Sequence, residues 1–584
     1  EFVFIINDKH AKETDVVEVL KKLVDDAVII TVPSHKKGPV HSVLKASKYI
    51  EDDEQVIVNY CDFSMDWDYN DFEEFVEQTE CDGCVVCYTG FHPHMLGGDN
   101  YAFCKTEENK IVEIREKQPF TADKMSEYAS TGTYYFRKGS YVKKYFQQLI
   151  DEDININGEY YVSLVHNLLI RDGLLNSIYE VPAMLQWGTP LDMNMYLQWS
   201  DYYRAALEGN KPLKIKNCIT ALPMAGAGSR FSEEGFSIPK PFIEVNGQYM
   251  VDRAKHCLPQ TDETVYACLN SHMNMLPIED FENIVWIDDV LEGQACTTER
   301  IINKVDDDTA ILLSACDNGV LYDSDKFADL IEDTDNDIVV WSYRNNYTAY
   351  RNPNMYSWLN VDGDDVKSVS VKKFVGDNPI DEYAIVGTMF FRNKEVYLNS
   401  FNQTYKKDIR TNGEFYVDTI LNEAISLGYK VKNFEVDHYI CWGTPNDLKT
   451  YRYWQKFFNK ETMKYDMELC SSWSGCHAPV FYFAYNMANY FHFIYDTLPY
   501  LYTYFEEKKT CPDLKLLVSP AEGKDDLYPF VWETLELLGI TRDDVVFLRQ
   551  DVIYDYVLVG SSLTHGGLSE KPPHRFTFDI IGRL

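Results

Sequence analysis

Positive charge is scarce in this sequence: 55 Lys and Arg stand against 92 Asp and Glu, a net charge of −37 over 584 residues. The acidic excess is spread along the chain rather than gathered in a tail, so it repels polyanions everywhere outside local pockets. Nucleic acid and anionic membrane surfaces are thereby poor partners. Glycine and proline are sparse as well, at 30 and 22, while 45% of the residues are hydrophobic and 14% aromatic. Collagen-like, low-complexity and wholly disordered chains do not have that composition. At roughly 150 residues per domain, with allowance for large α/β domains, two or three cores are expected.

No apolar run is long and clean enough to cross a bilayer. The stretch from Ala478 to Phe505 comes nearest, but Asn486, Asn489, His492, Asp496 and Pro499 interrupt it, and hydrocarbon penalises such groups. No transmembrane segment is expected. No targeting segment is expected in the residues present: the chain opens on EFVFIIN, which reads as a strand, with no initiator Met and no basic stretch, and sequence upstream of Glu1 is expected to have been lost. The 14 cysteines follow no framework spacing. Their closest group, Cys81, Cys84 and Cys87 in CDGCVVCY, reads as a strand, whose alternation would point Cys81 and Cys87 away from Cys84, and no second CxxC completes a zinc site. Reduced thiols in a cytoplasmic protein are expected.

What the sequence does contain is a copy of itself. Gly38 in KKGPVHSV and Gly293 in LEGQACTT are 255 residues apart, and so are Asp62 and Asp317, Tyr101 and Tyr356, Gly132 and Gly387, Glu159 and Glu414, and Trp187 and Trp442. Six matches in one register point to a duplicated domain. The later copy has a strand, glycine-rich loop and helix between Ile219 and Glu263 for which the earlier copy has no counterpart, so the earlier copy is expected to be catalytically incomplete. Within each copy β-rich runs such as CVVCY, DIVVWSY and AILLSACD alternate with amphipathic stretches such as FYVDTILNEAISLG. That alternation predicts an α/β fold with a parallel sheet covered by helices on both faces. Polar EGNKPLK, residues 208–214, reads as the link between copies, and a second link is expected over 459–472, after which the repeat stops.

The chemistry concentrates in ITALPMAGAGSRFSEEGFSIPKP, residues 219–241. An apolar strand runs into a loop with Ala225, Gly226, Gly228, Ser229 and Arg230, and Lys240 follows ten residues after Arg230. Glycines let the backbone approach a triphosphate and turn N–H groups toward its oxygens. Arg230 and Lys240 add positive charge where a pyrophosphate leaving group develops negative charge. AILLSACD is an apolar strand that delivers Asp317 near its C-terminal end, where open α/β sheets bind ligands, so Arg230, Lys240 and Asp317 are expected in one pocket.

MAGAGSRF with its downstream KP resembles the signature of the sugar-phosphate nucleotidyltransferases, or nucleoside-diphosphate-sugar pyrophosphorylases. The resemblance implies two tandem Rossmann-like (GT-A-like) domains with mixed, mostly parallel sheets, over residues 1–208 and 215–460. It implies a nucleoside triphosphate and a sugar phosphate as substrates. It places nucleotide phosphates on Gly226, Gly228, Arg230 and Lys240, Mg²⁺ on Asp317 and, in the earlier copy, Asp62, and the base near Gly293 and Gln294. Lys372 falls where the family touches the sugar phosphate, and Gly387 and Glu414 where it holds sugar hydroxyls; Glu116, Lys117, Gly132 and Glu159 are the earlier copy's sugar-site residues. Departures are visible: Gln186 and Cys441 stand where many members carry a second Mg²⁺-binding Asp, and Val371 stands where the earlier copy has Glu116. Asp192 and Asp447 follow Thr-Pro by a spacing that reads as a helix start instead.

The NYFHFIYDTLP cluster, followed by KLLV and LELLGI, resembles the glycosyltransferase 61 family and implies a partial α/β lobe over residues 473–584 acting on a glycan acceptor, with His492 and Asp496 on one helical face. Together the two resemblances imply Mg²⁺-dependent nucleotidyl transfer coupled to a glycosyltransferase in surface or capsular polysaccharide synthesis. Two alternatives stand beside it: non-catalytic nucleotide-binding repeats that serve as a scaffold, and a cytidylyltransferase for a non-sugar phosphate such as phosphocholine, the latter favoured by an aromatic cage.

Overall fold

Runs of β-branched and aromatic residues become strands wherever both faces find apolar cover. The computed structural model describes residues 2–461 apart from 208, 227 and 274–280, and beyond them 474–476, 480–482, most of 501–518, 527–547, 552–554 and 557–559. The chain divides into two compact units, Glu1–Trp199 and Ser200–Leu584.

In the first unit the strands are β1 (Val3–Asn7), β2 (Val28–Val32), β3 (Val56–Asn59), β4 (Phe63–Asp66), β5 (Gly83–Tyr88), β6 (Ala102–Glu107), β7 (Lys110–Glu116), β8 (Tyr128–Phe136), β9 (Asn176–Glu180) and β10 (Ala183–Gln186). Six form a sheet in the order β3-β8-β5-β9-β7-β6, while β1–β2 and β4–β10 are separate pairs. Val85 and Cys87 pack on one face with Tyr134 and the helix Val162–Arg171; Cys84, Val86 and Tyr88 pack on the other.

In the second unit they are β11 (Cys218–Pro223), β12 (Glu244–Val245), β13 (Gln248–Tyr249), β14 (Glu263–Leu269), β15 (Ile284–Ile287), β16 (Ala310–Leu313), β17 (Asn318–Leu321), β18 (Ile338–Tyr343), β19 (Trp358–Asp362), β20 (Asp365–Ser370), β21 (Tyr383–Phe391), β22 (Val431–Glu435) and β23 (His438–Cys441). Nine form one sheet, β15-β14-β11-β16-β21-β18-β22-β20-β19. Alternation sorts its core: Ile338 and Val340 face one apolar cluster with the helices Gln294–Ile302 and Val417–Ser426, and Val339, Trp341 and Tyr343 face another with Phe327 and Phe434.

The last six strands of this sheet have the neighbour order and relative directions of the first unit's six, down to a register shift in the central strand, between Val85 and Cys87 in β5 and between Val340 and Ser342 in β18. The extra strand β11 joins the parallel pair β14–β15 to β16. Among the described residues of the first unit no strand does this, and β1–β2 stand apart from the six-stranded sheet.

Two expectations are corrected. The sheets are mixed rather than wholly parallel: β5–β9 is the one parallel pairing in the six-stranded sheet, because β8 lies antiparallel between β3 and β5 and the hairpin β6–β7 supplies the edge, whereas β15-β14-β11-β16 and β18–β22 are parallel in the nine-stranded sheet. Cys81 precedes β5, so alternation does not reach it; it shares a cluster with Cys84, while Cys87 lies on the opposite face with its Sγ 3.8 Å from that of Cys104. In the polar segment 209–214, Asn210 donates to the Cys257 and Val320 carbonyls and accepts from the Tyr322 N–H at 3.0 Å, and Lys211 pairs with Asp325 at 2.7 Å.

Further along, β24 (Ser474–Cys476) pairs with β28 (Val552–Tyr554), and β25 (Val480–Tyr482), β26 (Lys515–Val518), β27 (Val545–Phe547) and β29 (Val557–Val559) form a parallel sheet in the order β27-β26-β25-β29. The helix Pro529–Leu537 places Val531 and Leu535 in a cluster with Leu516 and Val518. His492 and Asp496 lie outside the described residues. Among the described residues no helix is long and apolar enough to cross a membrane.

Candidate functional site

Strands β11 and β16 run parallel, so the chain leaving each emerges at one edge of the sheet. There a cavity of about 490 Å³ is lined by residues of the loop after β11, the segment between β16 and β17, and the start of the helix Val417–Ser426. Of the fourteen site residues read from the sequence in this unit, the twelve within the described residues line it: Ala225, Gly226, Gly228, Ser229, Arg230, Lys240, Gly293, Gln294, Asp317, Lys372, Gly387 and Glu414.

Local structure explains how they meet. Gly228 takes a left-handed conformation (φ 61°) and starts the short helix Ser229–Glu233, which Phe231 anchors in the core. Lys240 opens a turn whose Pro241 and Phe242 are buried, and from there its Nζ donates to Asp317 Oδ2. Strand β16 ends at Leu313, four residues before Asp317, so a bend rather than the strand itself delivers the carboxylate. The Asp317 carbonyl accepts the Trp442 N–H at 2.8 Å, and a Cβ on Gly443 would lie 3.0 Å from Asp317 Oδ2, so that glycine leaves room for the carboxylate. Gly293 (φ 132°) does the same for backbone: a Cβ there would lie 2.6 Å from both N and O of Phe415. That approach brings Gln294 and Glu414 to one pocket.

Electrostatically the site is a mixed cluster. Burial lowers the Lys240 pKa, but the Asp317 charge, the hydrogen bond to it and the nearby Cys316 and Cys441 together outweigh burial, and the net shift is upward. Burial pushes the Cys316 thiol up to about 12, with Asp317 adding to the shift. Cys441 is also raised, by burial and then by Asp447 and Asp317, so it stands in the site as a neutral thiol. Asp447 is also raised, first by burial. It does begin a helix, Pro445–Glu461: its N–H donates to Thr444 Oγ1 at 3.2 Å, and Thr444 Oγ1 donates to its Oδ2 at 2.6 Å. Asp192 makes the same contacts with Thr189. Asp447 differs in lining the cavity as well. Among the described residues no cluster of three or more His, Cys, Asp or Glu is arranged to hold a metal ion. Mg²⁺ on a nucleotide asks for less, since phosphate oxygens and waters fill most of its octahedron, and the donor set of Asp317 with Asp447 nearby fits that requirement.

In the first unit the equivalent positions look different. Gly38 again abuts backbone, with a Cβ 2.6 Å from Tyr160 N and O. Asp62 again accepts a tryptophan N–H, from Trp187 at 2.9 Å, but is exposed and forms no ion pair among the described residues. A Cβ on Gly132 would meet Tyr60 at 3.0 Å and Phe63 at 3.2 Å, whereas Gly387 faces the smaller Ala315 and Asn318. Glu116 is buried and accepts from Ser163 Oγ at 2.5 Å, and burial raises its pKa. Lys117 donates to Tyr161 Oη at 2.6 Å, and Tyr161 in turn donates to Glu159, so these polar groups satisfy one another.

No family model matches the chain, and no curated protein matches it either. Solved structures do. A nucleoside-diphosphate-sugar pyrophosphorylase from Vibrio cholerae RC9 is 19% identical, with 41% of this chain and 99% of that one covered and a TM-score of 0.34. An inositol-1-phosphate CTP transferase from T. maritima is 18% identical over 41% of this chain and 96% of that one, TM-score 0.33. A CMP:2-keto-3-deoxy-manno-octonic acid synthetase complexed with CTP is 15% identical over 41% and 98%, TM-score 0.32.

Sequence reasoning missed several lining residues: Thr297, Tyr356, Tyr416, Asp418, Tyr439 and, as more than a helix start, Asp447. The signal for Asp418 was available. It stands where the earlier copy has Ser163, in the same 255-residue register that exposed Val371 in place of Glu116.

Proposed function

We propose that the second unit is a nucleotidyltransferase, joining a nucleoside monophosphate to a phosphate-bearing acceptor with release of pyrophosphate. One observation carries the reading: the glycine loop, Arg230, Lys240 and Asp317, up to 91 residues from Gly226 to Asp317 in sequence, line one cavity at the sheet edge. In this reading the glycine loop and Arg230 bind the triphosphate. An oxygen of the acceptor phosphate attacks the α-phosphorus in line, and the bond to the β-phosphate bridging oxygen breaks. Positioning and charge neutralisation supply the rate, and no covalent nucleophile is needed. Asp317, with Asp447 beside it, would hold Mg²⁺, which supplies further charge neutralisation on the phosphates. Lys240 follows the transferring phosphates as negative charge shifts onto the leaving pyrophosphate.

The acceptor is a sugar phosphate in our reading, with Lys372 on its phosphate and Glu414 and Gly387 near its hydroxyls. The first unit, a copy of the same domain, contributes no second active site here: the phosphate-loop segment occurs once in the sequence present, and Tyr60 and Phe63 fill the space beside Gly132. The assignment of residues 473–584 to a glycosyltransferase, the polysaccharide setting and a cytoplasmic location are supported by sequence resemblance and composition alone. The test is label transfer. An α-³²P-labelled nucleoside triphosphate should pass its label to an acceptor sugar 1-phosphate in a wild-type reaction and not in Lys240→Ala. Nucleotide binding with no transfer to any acceptor would favour the scaffold reading.

A further inference from the structure

We propose that Asp418 is the residue by which the second unit's pocket selects its acceptor, accepting a hydrogen bond from a hydroxyl on a polyol phosphate. The inference rests on the nucleotidyltransferase reading of the same cavity.

The first unit defines the geometry. Glu116 closes β7 and Ser163 lies in the first turn of the helix Val162–Arg171, and the two face each other, Ser163 Oγ donating to Glu116 Oε2 at 2.5 Å. In the second unit the 255-residue register puts Val371 and Asp418 at these places. Val371 packs against the apolar cluster of the sheet and brings no polar atom to its position. The carboxylate has moved from the strand end to the helix start, and there Asp418 lines the cavity. Loss of the acid at one position of the pair and gain at the other keeps one carboxylate but presents it from the helix.

The carboxylate is not used up by its surroundings. Its polar neighbours are the Lys372 ammonium and the Ser357 hydroxyl, and it forms no ion pair within 4.0 Å among the described residues. Lys372 is itself held elsewhere, donating to the Met355 carbonyl at 2.5 Å. An ionised carboxylate has room for about four donors, so acceptor capacity remains. Burial raises the Asp418 pKa despite Lys372, as expected for a carboxylate short of donors.

The same neighbours argue against a quaternary ammonium. An aromatic cage needs free ring faces. Here the Lys372 ammonium stands 5.4 Å from the Tyr416 ring centroid, and Tyr439 is stacked on Tyr343 at 4.0 Å. A fixed ammonium beside Asp418 also repels a second cation. A neutral hydroxyl meets neither obstacle.

Calorimetry on the full chain tests this with glucose, galactose and mannose 1-phosphates and their monodeoxy analogues. A site that hydrogen-bonds a hydroxyl discriminates against the analogue lacking it. Wild type should bind one parent sugar phosphate roughly tenfold more tightly than one of its deoxy analogues. Asp418→Ser should weaken the parent by about that factor and leave the deoxy analogue and the nucleoside triphosphate unchanged. Asp418→Asn, with near-identical volume, controls for folding through its melting curve. The double variant Val371→Glu, Asp418→Ser, which returns the carboxylate to the strand-end position that Glu116 holds in the first unit, should bind the hydroxylated sugar again with an altered preference among the three. Parent binding unchanged in Asp418→Ser, no discrimination by wild type, no binding of any of the three, or preference for phosphocholine would each overturn the proposal. Binding with the expected loss in Asp418→Ser but no label transfer would leave Asp418's role standing and sink the transferase reading alone.

Discussion

Lys240 and Asp317 are 77 residues apart and form an ion pair inside the cavity, each side chain a little over a fifth exposed. The pair ties the phosphate loop's trailing lysine to the acid beyond the central strand, so the two ends of the site are set by one contact. Its removal should affect chemistry more than folding. We expect Lys240→Met to lower turnover by about 10²–10³-fold, the usual cost of losing a group that stabilises transition-state charge. Steady-state pyrophosphate release measures it, and a loss under about threefold would remove Lys240 from the machinery.

The same pair has an alkaline signature. The Lys240 pKa is raised above 10.5 in the folded chain. Its contribution to stability is therefore fully present below 10.5 and is lost as pH climbs through the higher folded value. Denaturant melts from pH 9 to 11.5 should fall more steeply for wild type than for Lys240→Met.

Asp447 has the opposite linkage. Burial raises its pKa above 3.8, so the folded state holds its proton more tightly than the unfolded chain, and stability falls as pH rises from about 3.8 through the folded value. Asp447→Asn keeps an acceptor for Thr444 and removes the charge. Its stability at neutral pH should equal or exceed wild type, and the difference should vanish near pH 3, as read by thermal melts.

Gly38 and Gly293 should fail alike. Both have positive φ, 82° and 132°, and both would drive a Cβ to 2.6 Å from backbone of Tyr160 or Phe415. Alanine at either site should cost about 1–3 kcal/mol from conformation alone, with the clash adding to it. Gly293→Ala should also weaken nucleotide binding, because that residue lines the cavity. Equilibrium unfolding that leaves either variant at wild-type stability would contradict the close approach.

Ala315→Tyr tests the contrast between the units. It installs the ring that Tyr60 presents beside Gly132, where a Cβ on Gly387 would lie 3.4 Å from Ala315 Cβ. The acceptor KM should rise roughly tenfold or more while the nucleotide Kd stays within about threefold.

Much of this was legible before any coordinates. Glycines, an acid just past a strand and basic residues at characteristic spacings stand out because each supplies something few other residues can, and the twelve described residues named for the second unit's nucleotide and sugar site meet at one cavity. Strand direction was not legible: β8 and β21 have the same apolar alternation whichever way they run, so the expected parallel sheet missed that these two run antiparallel to both their neighbours. Cys81 was misplaced because alternation was extended past the strand's start at Gly83. Asp418 was missed because a lone acid in an amphipathic helix looks like a solvated face until its position is compared with Ser163, and Val371 with Glu116, in the 255-residue register.

The most direct measurement is Mg²⁺-dependent pyrophosphate release by the chain, wild type and Asp317→Asn, across the common nucleoside triphosphates and a set of sugar 1-phosphates. The account predicts release for at least one pairing by wild type, abolished in Asp317→Asn while that variant still melts as a cooperative, folded chain. Nucleotide binding without release across the whole matrix, or release that survives in Asp317→Asn, would contradict it.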